Sequence, residues 1–232
     1  MHEQGLKLEA LWKQDQARDA LLAEGEGLRV RVERTAAQLE EARAKAAAAR
    51  EALDALQAEE ARRSKRMATY EKRRDQAIRL IEEGRAPDFR VAQSQAEQCA
   101  AIVDEEETAL LDLMEQIDAA QGSLEALTNG QQLLELRHRE ATEAREARAP
   151  GLADALAGAT AERDAAREGI FRENLSRYDI LRRKGVTPFA DVRGDACTGC
   201  QVGINAIARS EHRRGVALVH CRHCGRFLGE IL

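Results

Sequence analysis

Aromatic residues are scarce in this chain: one Trp, two Tyr and four Phe among 232 residues. So few large side chains cannot fill a thick globular core, which excludes an ordinary single globule. Proline is rarer still, at three residues, and its absence leaves long stretches free to stay helical. No apolar run is long enough to span a bilayer, and the opening MHEQGLKLEALWKQ contains no signal-like apolar segment. The expectation is a cytoplasmic protein without membrane contact. Cysteines number five, four of them in two tight pairs, a distribution that suits a metal in a reducing compartment better than a disulfide framework.

What is present in excess is Ala, Glu, Arg and Leu. Charged residues make up 33% of the chain, and alanine supplies much of its hydrophobic content. Such a mixture fits long helices that bury a narrow stripe. The net charge of -5 conceals a division. Residues 182–232 carry nine Lys/Arg against four Asp/Glu, and residues 62–79 carry eight against two, so the rest of the chain is strongly acidic. Indiscriminate nucleic-acid binding is disfavoured, but a localised contact at a basic patch is not.

A heptad seam runs from Leu28, Val32, Thr35 and Leu39 to Arg74, Ala77 and Ile81 in alternating steps of four and three. A second runs from Val103, Glu106, Leu110, Leu113 and Ile117 to His138 and Ala141. The 3.5-residue period predicts a left-handed coiled coil. Between the seams lies EEGRAPDF, where Gly84 can end one helix and Pro87 can precede the next. The reading is an antiparallel hairpin over residues 1–184 with its tip near 84–88. Folding at that tip sets Gly25 and Gly27 opposite Ala149-Pro150-Gly151, so both arms lose helix propensity at one height. A bend or break is expected there, either a static kink or a joint. Polar seam residues such as Glu60, Arg63, Arg74, Glu106 and His138 are expected to fix register, with His138 structural rather than a metal ligand. Cys99, without a cysteine neighbour, reads as a free thiol near the tip.

After Lys184-Gly185 the helical pattern ends. VTPFADVRGDA, GVALVH and RFLGEIL read as short strands around two knuckles, Cys197–Cys200 and Cys221–Cys224. Together these form C-x2-C-x20-C-x2-C, the spacing of a four-cysteine zinc site, with one structural Zn2+ per chain. Each two-residue gap lets a tight turn aim both sulfurs at one metal. Gly225 suits the left-handed backbone such a turn needs. Four thiolates would complete the tetrahedron and leave no position for water or substrate, so a hydrolytic enzyme is disfavoured. A redox pair would call for a thioredoxin-like βαβ pattern, which is absent. His220 and His223 flank the ligands and could replace one; with four cysteines at hand, thiolate is the assignment.

The stretch ACTGCQVGINAIARSEHRRGVALVHCRHCGRFL resembles the ribbon of the bacterial C4-type zinc-ribbon proteins with a coiled-coil hairpin. RLIEEGRAPDFRVAQSQAEQ resembles that family's hairpin tip, and DEEETALLDLMEQID the acidic stretch after it. The likeness covers the whole chain. It departs at Gly203-Ile204-Asn205, where many members carry a Leu-Pro step. The resemblance implies a mainly α fold, a long antiparallel coiled-coil hairpin (1–184) followed by a small β-rich C4 zinc ribbon (185–232). It implies no enzymatic activity, nucleic-acid binding through the ribbon and, in some members, protein partners along the coil.

The basic residues that would meet phosphates are Arg182, Arg183 and Lys184, then Arg209, Arg213 and Arg214, then Arg222 and Arg226. Phe189 and Phe227 alone could stack bases, and both serve equally well as core. The expected ligand is therefore duplex DNA rather than RNA or splayed single strands, with no small-molecule substrate. The alternative is an adaptor that docks protein partners along its acidic coil.

Overall fold

Two long helices make up most of the chain: α1 spans Glu3–Glu82 and α2 spans Phe89–Ala166. They are followed by α3 (Arg172–Arg183), β1 (Phe189–Ala190), β2 (Val192–Arg193), β3 (Ala196–Cys197), α4 (Ala206–Arg214) and β4 (Phe227–Leu228). The structure, a computed structural model, describes residues 2–215 and 217–229. Val216, from the expected GVALVH strand, and the last three residues of RFLGEIL lie outside the described residues. The chain divides into two compact units, residues 31–142 and residues 1–30 with 143–232.

In the unit 31–142, α1 and α2 pack against each other in opposite directions. Thr35 Oγ1 lies 3.1 Å from His138 Nδ1, and Arg63 Nη1 donates to Glu106 Oε2 at 3.1 Å. These pairs agree with the register read from folding the chain at its turn. The turn ends α1 with Gly84 at φ 64° and an Arg85 N–H to Leu80 C=O bond of 2.9 Å. That six-to-one bond needs the left-handed conformation glycine adopts without strain. Asp88 then caps α2, its carboxylate accepting from the Val91 N–H at 3.3 Å.

The expected seam is the buried stripe. Leu53, Leu113 and Ile117 form its core with Leu56, Ala120 and Leu124 beside them. Leu39, Ala77, Val103 and Ala141 are also buried. Cys99 belongs to the same stripe, 5% exposed, so it is a packing residue rather than an accessible thiol. Glu106 is almost wholly buried, but Arg63 and Arg66 reach it at 3.1 and 3.2 Å and satisfy both carboxylate oxygens.

The other unit differs from the sequence-based reading in two respects. The second arm does not run to residue 184: α2 ends at Ala166, residues 167–169 form a turn, and α3 starts afresh at Arg172. The turn is held by Gln4, 4% exposed, whose amide donates to Gly169 C=O at 2.9 Å and accepts from the Phe171 N–H at 2.8 Å. This return lets α3 lie against α1, where Leu8, Leu11, Trp12, Tyr178 and Leu181 close one core with Phe189 and Phe227. That core crosses the 184/185 boundary expected between hairpin and ribbon.

The second difference concerns the expected bend or break, of which the break is absent. Gly25 and Gly27 lie inside α1, and Ala149, Pro150 and Gly151 inside α2, with no interruption at either place. The two weak stretches do face each other. Arg148 grips Glu24 with two hydrogen bonds of 2.5 and 3.1 Å, and Gly25 lies under Leu152. A methyl group at Gly27 would meet nothing within 4 Å, whereas one at Gly25 would lie 3.0 Å from Leu152 Cδ2. Gly27→Ala is therefore expected to raise stability by about 0.5–1 kcal/mol through helix propensity. Gly25→Ala should gain less, because Leu152 must move. Thermal unfolding of the two variants checks the order; equal gains would mean Leu152 does not constrain Gly25.

Candidate metal centre

The residues between α3 and the end of the described chain form a small cysteine module. β2 and β3 make an antiparallel hairpin pairing Val192 with Cys197 and Arg193 with Ala196. β1 and β4 pair in parallel, Phe189 with Phe227 and Ala190 with Leu228. The core is slight: Ala190, Ile204, Val219 and Leu228 around Cys197 and Cys221.

The two knuckles share one backbone design. In the first, Cys197 N–H donates to Val202 C=O at 3.0 Å, and Gln201 N–H donates back to Cys197 C=O at 2.8 Å. In the second, Cys221 N–H donates to Arg226 C=O and Gly225 N–H to Cys221 C=O, both at 2.8 Å. The residue after the second cysteine is left-handed in each, Gln201 at φ 60° and Gly225 at φ 79°. Gly225 takes that conformation freely; Gln201 does so against the usual Cβ penalty, its side chain donating to Thr198 C=O at 3.1 Å.

This design converges the four sulfurs. Cys197 Sγ is 3.8 Å from Cys224 Sγ, Cys200 Sγ is 3.7 Å from Cys221 Sγ, and all four lie within 4.8 Å of one another. A tetrahedral ion with metal–sulfur bonds of about 2.3 Å sets sulfurs about 3.8 Å apart, so the cluster fits one such ion. Among the described residues no histidine joins the group. His220 is instead half-buried, its imidazolium disfavoured by burial and then by Arg177 and Arg222.

The environment divides the thiols. Burial pushes Cys197 up to about 12, although the Gly199 and Cys200 N–H groups favour its thiolate. Burial also opposes the Cys224 thiolate, but the backbone and side chain of Arg226, with the thiols of Cys200 and Cys221, bring it down to about 7. Several sulfurs thus receive N–H donors, the support a thiolate ligand set requires.

Arg226, expected to meet phosphate, is a clamp between the knuckles. Its Nε donates to Thr187 C=O at 3.0 Å and its Nη1 to Gly199 C=O at 2.8 Å. A Cβ at position 199 would lie 2.6 Å from Arg226 Cδ, which accounts for the glycine inside CTGC. Ile204 is buried in the module core, and the Asn205 side chain caps α4 by accepting from the Ala208 N–H at 2.7 Å. The Gly203-Ile204-Asn205 step therefore has a structural role of its own.

The remaining basic candidates separate into engaged and exposed groups. Arg182 is half-buried, donates to Asp19 at 2.5 Å, faces Asp15 at 3.5 Å and lies 4.9 Å over the Trp12 ring. Arg209 pairs with Asp195. By contrast Arg183, Lys184, Arg213, Arg214 and Arg222 are exposed, and among the described residues none has a carboxylate partner; Arg183 bonds only the Asp179 C=O, at 3.4 Å. No helix among the described residues is long and apolar enough to cross a membrane.

No family model matches the chain. No curated protein matches it either. Among solved structures its fold is similar to that of the HP0958 protein from Helicobacter pylori CCUG 17874, with a TM-score of 0.62 at 16% identity over 97% of this chain and 96% of that one. It is equally similar to a protein from Mycobacterium smegmatis, with a TM-score of 0.62 at 21% identity over 98% of each chain. At such identities the likeness is one of fold.

Proposed function

We propose that this chain is a non-enzymatic, bacterial C4 zinc-ribbon protein that binds nucleic acid, DNA in preference to RNA, through backbone phosphates, with its coiled coil as a spacer. The ion is Zn2+, one per chain, held by Cys197, Cys200, Cys221 and Cys224. The four-cysteine donor set, tetrahedral spacing and cytoplasmic expectation support zinc, and such a site leaves no coordination position for a substrate.

One observation carries the nucleic-acid reading. Arg183, Lys184, Arg213, Arg214 and Arg222 are exposed and have no carboxylate partner among the described residues, in the unit that holds the cysteines, while the chain as a whole is acidic. Cations that the protein does not neutralise are the ones able to neutralise phosphates. Arg182, Arg209 and Arg226 drop out as sources of unneutralised charge because their guanidinium groups have internal partners.

If about three to five of the exposed cations each neutralise one phosphate, log affinity for duplex DNA should fall with log salt at a slope of roughly -3 to -5. Arg213→Glu with Arg214→Glu should weaken binding to unrelated duplexes by similar factors, because phosphate contacts carry no sequence information. Affinity that ignores salt, or that persists after the cysteine module is unfolded, would defeat this reading. The adaptor reading would then lead. It rests on Leu111 and Met114, 65% and 54% exposed and three residues apart on α2, an apolar pair that a partner helix could cover.

A further inference from the structure

Away from the cysteines, five arginines line one open cleft in the unit of residues 1–30 and 143–232. Arg18 comes from α1, Arg163 from the end of α2, Arg167 from the turn after it, and Arg182 and Arg183 from the last turn of α3. Only two carboxylates, Asp15 and Asp179, share the lining.

Those carboxylates are already committed. Asp15, 3% exposed, accepts from Arg163 Nε at 2.6 Å and from the Tyr178 hydroxyl at 2.6 Å. Asp179 takes the Arg167 fork in two bonds of 3.0 and 2.7 Å. Asp19 and Asp164, outside the lining, take one nitrogen each from Arg182 and Arg163. These contacts immobilise three guanidinium planes without using all of their donors. Arg163 and Arg182 each retain a terminal amino group. Arg18 is half-buried and has no partner among the described residues, and Arg183 bonds only a backbone carbonyl.

The four aspartates all serve Arg163, Arg167 and Arg182, and a network whose role is solely to join helices has no use for a further, half-buried arginine such as Arg18 that none of them meets. Arginines held in place by carboxylates, with donors left over and surplus positive charge, match an incoming oxyanion. Single leftover donors on α2 and α3, with the guanidinium groups of Arg18 and Arg183, suit a tetrahedral, multiply charged anion better than a planar carboxylate, which one fork would satisfy.

We propose that this cleft is a phosphate-binding site, in which Arg18 and Arg183 supply unneutralised charge and Arg163 and Arg182 supply oriented donors. The phosphate is either free or part of a nucleic-acid backbone. The site does not depend on the exposed arginines of the cysteine module.

Trp12 makes the test direct. It is the one tryptophan in the chain, and the Arg182 guanidinium sits 4.9 Å over its ring. Inorganic phosphate titrated into the metal-loaded, full-length protein at constant ionic strength should change its fluorescence saturably, with calorimetry as a second readout. Arg18→Gln should weaken phosphate binding about tenfold, the loss of one charge-assisted contact. Its thermal stability should stay unchanged, since Arg18 holds nothing else in place. Arg213→Glu with Arg214→Glu should leave phosphate binding intact, which separates this site from the DNA reading. If Arg18→Gln also weakens duplex DNA binding, the cleft receives backbone phosphate; if DNA binding is unaltered, it receives free phosphate. No saturable response in the parent protein, or equal phosphate affinity in Arg18→Gln, overturns the proposal.

Discussion

Replacing Cys221 with serine is expected to unfold the cysteine module, abolish stoichiometric metal binding and leave most of the helical signal intact. Among the described residues the module's own apolar core is Ala190, Ile204, Val219 and Leu228 around the cysteines, with Val192 and Ala208 half-buried beside them, and each of its strands is two residues long. Apolar burial of that size cannot repay the ordering of some forty residues, so a metal held by the four cysteines is expected to supply the difference. The long helices lose nothing directly, because the Leu53–Leu113–Ile117 cluster contains no residue of the module. One secondary change is expected. Phe189 and Phe227 leave the core they share with Trp12, so tryptophan emission should shift to the red. Metal analysis, far-ultraviolet circular dichroism and fluorescence on the purified variant make the check. A protein that is metal-free yet retains a folded module would refute the assignment.

The second large effect is expected at Asp15. Its carboxylate, 4% exposed, is the meeting point of Arg163 at 2.6 Å, the Tyr178 hydroxyl at 2.6 Å and Arg182 at 3.5 Å. Burial, followed by the hydrogen bond and charge of Asp15, pushes the Tyr178 phenol far above its usual range, so it remains a donor. Asp15→Ala removes the acceptor, leaves the buried Tyr178 hydroxyl unpaired and leaves Arg163 and Arg182 with only their outer partners, Asp164 and Asp19. The expected loss is about 3–5 kcal/mol, the range for breaking one side of a buried pair. Tyr178→Phe removes only one hydrogen bond and should cost about 1 kcal/mol. Urea unfolding of both variants, with Asp15→Ala repeated in an Arg163→Ala background, measures the coupling. Similar small losses for the two single variants would show that Asp15 is not the hub.

The parts that could be read from the sequence are those set by local period and spacing. Leu53, Leu113 and Ile117 were legible because a 3.5-residue repeat needs no knowledge of the partner. The cysteines were legible because a two-residue gap already implies a knuckle. Long-range contacts decided the rest. Gly169 falls in the turn that ends the arm, whereas Gly25 and Gly27 stay inside a helix, although the residue type is the same. The difference is the Gln4 amide, which satisfies the backbone at Gly169 and Phe171 from the other end of the numbering. The arginines follow the same logic. Arg226 and Arg213 look alike in the string, but one finds the carbonyls of Thr187 and Gly199 and the other is exposed.

The parallel pairing of β1 with β4, and the packing of Leu8, Leu11 and Trp12 against Phe227, have a consequence for biosynthesis. A ribosome makes the N-terminal half of that core long before its cover. Until Phe227 has emerged, the apolar face of the first α1 turns cannot be closed, and until Cys224 has emerged no complete ligand set exists. The hairpin's own seam can zip as soon as residue 141 is out, since its contacts are nested around one turn. Translation therefore completes the unit of residues 31–142 while the other is still open, and the nascent chain's exposure to aggregation or chaperone capture is concentrated in residues 1–30 and 143–232. Completion of the four-cysteine set and closure around Trp12 come due together, in the last moments of synthesis.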